Sequence, residues 1–171
     1  MERRLIVAPR KITYEGYFKA RDVYRIIQEF LLEKGYDIDE KRNEEYVRPE
    51  GKQTLWISEN PLKINDYVQY VINIVLIKEN LKDKTIEIEG KKRNTQHGKI
   101  TITIRGFLET DYERRWENKA WRWYLRIMVD KYFLKTKLHD EAEQLKDHLE
   151  GLGKMLKDYF NMQKDSPKIR Q

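Results

Sequence analysis

The sequence predicts an α+β fold: a single antiparallel sheet of five to six strands with an N-terminal helix, a long helix packed across the sheet and a C-terminal helical arm. Three observations predict it. Several segments after Tyr36 alternate apolar and polar residues with no helical crossover between them, which is the pattern of antiparallel strands joined by short turns. Ala20 to Lys34 instead spaces Val23, Ile26, Ile27, Phe30 and Leu31 three and four apart, one face of a helix. Two later segments open on helix-start signals, Thr110-Asp111-Tyr112-Glu113 and Asp140 to Glu143, in each of which a capping side chain is followed three residues on by a glutamate.

The elements follow in order. Lys11 to Phe18 alternates Ile12, Tyr14, Gly16 and Phe18 against polar neighbours and reads as the first strand. The helix after it ends at Gly35, a residue suited to the left-handed turn that closes helices. Strands are expected over Tyr36 to Val47, Gln53 to Ser58 and Ile64 to Lys78, separated by a turn at Pro49-Glu50-Gly51 and a break at Asn60-Pro61. Val68 to Ile77 is apolar on both faces, so it belongs at the centre of the sheet. Lys84 to Asn94 and Lys99 to Glu109 flank a polar turn from Asn94 to Gly98, while Gly90 leaves room for a tighter hairpin or a bulge.

A long helix is expected to begin at Tyr112. Trp116, Ala120, Trp123, Ile127 and Leu134 form one line along it, and Trp121, Tyr124, Leu125, Met128 and Tyr132 widen the apolar arc past half the circumference. After a break near Thr136 to His139, Ala142, Leu145, Leu149, Leu152, Leu156 and Tyr159 make a narrow heptad seam softened by Gly151 and Gly153. The seam can pack inside the chain or pair two chains, with Leu145, Leu149, Leu152 and Leu156 as the candidate homodimer contacts. The resulting division is an N-terminal arm over residues 1–10, an α+β domain over 11–137, an amphipathic helix over 138–162 and a flexible tail over 163–171.

Composition bounds the function. A chain of 171 residues with 39% apolar, 37% charged and 12% aromatic residues can bury one core and is short for two domains. With no cysteine it has no disulfide, thiolate nucleophile or Cys-ligated metal, which fits a cytoplasmic protein. No run is long or apolar enough for a membrane span, and the start MERRLIVAPRK lacks the core of a signal peptide. The wealth of Lys, Glu, Ile and Tyr is similar to the composition of hyperthermophile proteins.

The element order strand, helix, antiparallel strands, long helix over Lys11 to Lys135 resembles the START-like or helix-grip fold, in which a curved sheet wraps a long terminal helix. That resemblance rests on element order, with no residue motif behind it. It implies an apolar cavity between sheet and helix, lined by Trp116, Trp123, Tyr124 and Ile127, and hence a protein that binds an apolar small molecule. The plainer reading of the same rings is that they fill the core.

The charge points elsewhere. Residues 91–135 hold 12 Lys and Arg against 5 Asp and Glu, which leaves 23 against 24 in the rest of the chain. Arg115, Lys119, Arg122 and Arg126 fall on one helical stripe, and Lys91, Lys92 and Arg93 stand on the preceding hairpin. Such a stripe can track phosphates, which implies a basic adaptor contacting RNA or a ribonucleoprotein. No catalytic set is apparent. His97, His139 and His148 are too scattered for a metal site, and Glu44, Glu45, Glu87 and Glu89 read best as solvated strand faces. Neither serine lies in a nucleophile elbow and no glycine-rich phosphate loop occurs, so the sequence implies no cofactor and favours a binding protein over an enzyme.

Overall fold

A computed structural model describes residues 2–88, 91–110 and 135–165. The elements are β1 (Glu2–Phe18), α1 (Ala20–Glu33), β2 (Asp39–Arg48), β3 (Gly51–Lys63), β4 (Val68–Ile88), β5 (Lys91–Thr110) and α2 (Lys135–Asp165). The fold is α+β. One antiparallel sheet of five strands runs in the order β1-β5-β4-β3-β2, and both helices share a core with one of its faces.

β4 stands third of the five strands, as its two apolar faces predict. The face under the helices is built from Ile12, Tyr14 and Phe18 of β1, Ile100, Ile102, Ile104 and Leu108 of β5, and Tyr70, Ile72, Ile74 and Leu76 of β4, all buried. In register, Ile12 lies opposite Ile102, and Ile102 in turn opposite Leu76, so branched side chains stack across three strands. Each such side chain removed from water contributes about 1.5–3 kcal/mol before chain entropy is set against it.

α1 ends in the motif its glycine predicts. The Gly35 amide donates to Leu32 O (3.0 Å), the Tyr36 amide donates to Leu31 O (2.8 Å), and Gly35 takes φ +80°. This is the paired closure that satisfies the last carbonyls of a helix, and it turns Tyr36 into the core.

α2 lies against β1 and β5. Leu145, Leu149, Leu152 and Leu156 are all buried at 0–1% exposure in the chain's own core. The seam is therefore used inside the chain, where among the described residues it meets the sheet. Gly106 makes the approach close: a Cβ there would sit 2.5 Å from Leu149 Cδ1 and 3.3 Å from Leu145 Cγ. Farther along, Phe160 stacks on Tyr14 with ring centroids 4.8 Å apart.

The structure differs from the sequence reading at several places. The residues expected as an N-terminal arm continue β1, because Arg3 bonds Glu59 (2.9 Å) and Glu109 (3.3 Å) and covers the Phe107 ring at 4.0 Å. Asn60-Pro61 does not break β3. Pro61 lies beyond the end of β2, where β3 is an edge with no ladder bond to lose on that side, and its carbonyl accepts from the Asp37 amide.

The polar stretch Asn94 to Gly98 is strand, and the reversal falls between Ile88 and Lys91, which pair in register. The C-terminal helix is continuous through the expected break at Thr136 to His139, so Asp140 and Glu143 sit inside it. It reaches Asp165, three residues past the expected helix end at 162. The helix expected over 112–135 lies outside the described residues except at its last residue, and the long helix seen on the sheet is the segment expected as an arm.

Candidate functional site

β4 and β5 outrun their neighbours. β3 reaches β4 only as far as Leu81, and β1 reaches β5 only as far as Gln96. From Lys84 and Thr95 to Ile88 and Lys91, five residue pairs form a two-stranded ribbon with no flanking strand among the described residues. At about 3.4 Å per residue the ribbon extends roughly 15 Å from the sheet. Its root is an irregularity in β4 between Glu79 and Lys82, where Asn80 takes φ 54°, a left-handed conformation that asparagine tolerates.

The ribbon flanks the start of α1. Lys19 precedes the helix in an extended conformation and offers no side-chain cap. The Ala20 amide instead donates to Gln96 Oε1 (3.2 Å), while the Asp22 and Val23 amides turn back to Lys19 O. Tyr159 from α2 holds the same corner, accepting from the Lys19 amide at 3.1 Å and donating to its carbonyl at 3.4 Å. Thr95 Oγ1 donates to Phe18 O (3.3 Å), which ties the ribbon root to β1.

Between α1 and the ribbon lies a cleft of about 950 Å³, lined by Lys19, Arg21, Asp22, Arg25, Lys84 and Asn94 among others. Its two carboxylates are engaged, Asp22 with Arg25 (3.5 Å) and Asp83 with the Gln96 amide nitrogen (2.9 Å). Among the described residues Lys19, Arg21 and Lys84 have no carboxylate partner. The positive end of a helix dipole faces the same space, so the cleft suits an anion.

The sequence candidates divide. Lys91, Lys92 and Arg93 form the outer end of the returning ribbon strand, opposite Ile88, Glu87 and Ile86, with side chains outside the described set. Arg115, Lys119, Arg122 and Arg126 lie outside the described residues, as do Trp116, Trp123, Tyr124 and Ile127. His97 packs edge-on against Tyr17 at the ribbon root, with centroids 4.8 Å apart, beside a second recess of about 320 Å³. Glu44 is spent on Arg42 and Tyr46, and Glu45 faces Lys52. Among the described residues no group of three His, Asp or Glu could hold a metal, and no helix is long and apolar enough to cross a membrane.

A second polar cluster has no signature in sequence spacing. The Tyr36 hydroxyl hydrogen-bonds His148 Nδ1 (2.9 Å), and the Tyr70 hydroxyl donates to the Glu141 carboxylate. Burial raises both phenol pKa values, that of Tyr70 further through Glu141, and burial with nearby Lys34 lowers that of His148. At neutral pH both phenols stay protonated, and the two bonds clamp the first half of α2 to the core. The cleft at α1 was missed for a related reason: its walls come from residues 19–25, 83–85 and 94–96, brought together only by the pairing of β1 with β5.

No family model matches the chain, and neither does any curated protein or any solved structure.

Proposed function

We propose that this protein is an RNA-contacting binding module, whose recognition surface is the ribbon of β4 and β5 together with the cleft at the start of α1. One observation carries the reading: Lys19, Arg21 and Lys84 stand around an open cleft at a helix N-terminus, none of them in an ion pair among the described residues, while the cleft's Asp22 and Asp83 bond Arg25 and Gln96. A cationic cleft leading onto a two-stranded ribbon is a shape that can follow a single-stranded backbone, and the Tyr17 and His97 rings at the ribbon root supply faces for a base to stack on. Lys91, Lys92 and Arg93 continue the basic track along the ribbon.

The experiment is a titration of the protein with a short unstructured RNA at several salt concentrations. Neutralising three or four phosphates on a single strand gives a slope of log K against log salt of about −2 to −3. The double variant Arg21→Glu, Lys84→Glu is expected to weaken binding at low salt and make the slope shallower by about 1 to 2. It should fold normally, because a carboxylate in the first turn of a helix is favoured there.

Salt-insensitive binding, or a variant that binds as the parent does, sinks the reading. The alternative, an apolar small molecule held between sheet and helix, rests on Trp116, Trp123, Tyr124 and Ile127. A tryptophan fluorescence response to a fatty acid or sterol, with none to RNA, would favour it instead.

A further inference from the structure

Lys78 occupies a position where a lysine is costly. It lies in β4 on the face beneath the helices, flanked by Thr54 of β3 and Ile100 of β5, and is only 6% exposed. Its ammonium sits 4.9 Å from the centre of the Tyr24 ring, contributed by α1. Among the described residues no carboxylate stands within ion-pair distance of it, and the nearby Glu45 carboxylate is engaged by Lys52 at 3.8 Å. Thr54, directly opposite, is 5% exposed and its hydroxyl has no hydrogen-bond partner. Thr54 and Lys78 pair across β3 and β4, the Thr54 hydroxyl closed off from solvent and unbonded and the Lys78 amine resting on the Tyr24 ring. A core is expected to replace both with apolar residues unless a ligand uses them.

We propose that Lys78 is a carbonyl-capturing lysine, whose ε-amine, held unpaired beneath Tyr24 and opposite Thr54, forms an imine with small neutral aldehydes or ketones. The charged and titratable groups around it are Tyr24 on α1, Glu40 and Glu45 on β2 and Lys52 on β3. Burial lowers the pKa of Lys78, with Lys52 acting in the same direction and Glu45 against it. More of the amine is therefore free at neutral pH than on a surface lysine, and the free amine is the nucleophile.

The step balances without an oxidant or reductant. The amine lone pair attacks the carbonyl carbon, and the carbonyl oxygen takes the electron pair of its π bond and a proton, giving a carbinolamine. The nitrogen then gives up its proton and the oxygen leaves as water, so amine and carbonyl become imine and water. The Thr54 hydroxyl has a free donor for the developing oxyanion. Tyr24 and Trp56 meet edge to face at 5.4 Å and provide an apolar wall. Glu40 and Glu45, both exposed on β2, disfavour anionic carbonyl compounds such as α-keto acids. Tyr24, which covers the amine, is itself only half-buried.

The test treats the folded full-length chain with butanal and cyanoborohydride at neutral pH, which fixes any imine as a butylated lysine, and maps the adduct by peptide mass. Lys78 is expected to label several-fold faster than the exposed lysines, because burial leaves more of its amine unprotonated. Pyruvate should label it more slowly than butanal does, and Tyr24→Ala should speed its labelling. In Lys78→Met the fast adduct disappears while surface labelling is unchanged. If Lys78 stays unmodified while exposed lysines react, or reacts no faster than it does in the urea-unfolded chain, the proposal fails.

Discussion

Gly106 sets how closely α2 can lie on the sheet, and a single methyl group measures it. In Gly106→Ala the new Cβ would stand 2.5 Å from Leu149 Cδ1, inside van der Waals contact, with Leu145 behind it at 3.3 Å. Overpacking of this kind costs about 1–3 kcal/mol. Gly153→Ala is the matched control, since nothing lies within 4 Å of its added methyl. Inside a helix that exchange is expected to stabilise by about 0.5–1 kcal/mol. Urea midpoints of the two variants should therefore move in opposite directions; a Gly106→Ala protein as stable as the parent would mean that α2 does not sit where it is placed.

The alternation Ile100, Ile102, Ile104 of β5 was legible in the sequence. The phase of β3 was not. Thr54, Ser58 and Asn60 are buried under the helices with Trp56, while Leu55 and Ile57 take the opposite, half-exposed face. Hydrophobicity alone would turn that strand over. What fixes it is bonding that only the assembled sheet offers, such as Asn60 Nδ2 donating to Ser58 Oγ and Ile72 O, both at 2.9 Å.

Among the elements, α1 and the central place of β4 followed from periodicity because each carries its own burial pattern. β1 was read short because residues 2–10 are held by Arg3 and by pairing with β5, partners about a hundred residues away. α2 was read as an arm because a narrow seam looks the same whether it meets another helix or a sheet. Its attachment carries a pH dependence. His148 has its pKa lowered in the folded state, so below its ordinary value near 6.5 the unfolded chain binds a proton that the fold resists. Stability from this group is complete above about pH 6.5 and falls as the pH drops toward the lower folded value. His148→Gln keeps an acceptor for Tyr36 and removes the titration. Its denaturation midpoint is expected to fall less than that of the parent between pH 7 and pH 5, and parallel curves would show that His148 does not couple to folding.

At the scale of the molecule, a packed body and a projecting ribbon answer to different constraints. The body is closed by pairings between chain ends, Glu2 with Thr110 at the extreme, and by leucines of α2 that cannot pair with another chain without leaving the sheet. The ribbon beyond Lys84 and Thr95 has no flanking strand among the described residues, and its pairing with the body ends at those two residues. Stability and recognition are therefore separable. Replacing residues 86–93 by Asn-Gly, a two-residue link suited to a tight hairpin, joins Thr85 to Asn94, which already face one another in register. The melting temperature should change by only a few degrees, since about 1 kcal/mol corresponds to roughly 2–4 °C in a chain of this size. Salt-dependent RNA affinity should fall about tenfold or more as the basic track is shortened. If the shortened protein unfolds, the ribbon is structural. If it binds RNA as the parent does, the contact belongs to another basic surface, and the stripe of Arg115, Lys119, Arg122 and Arg126 becomes the next to alter.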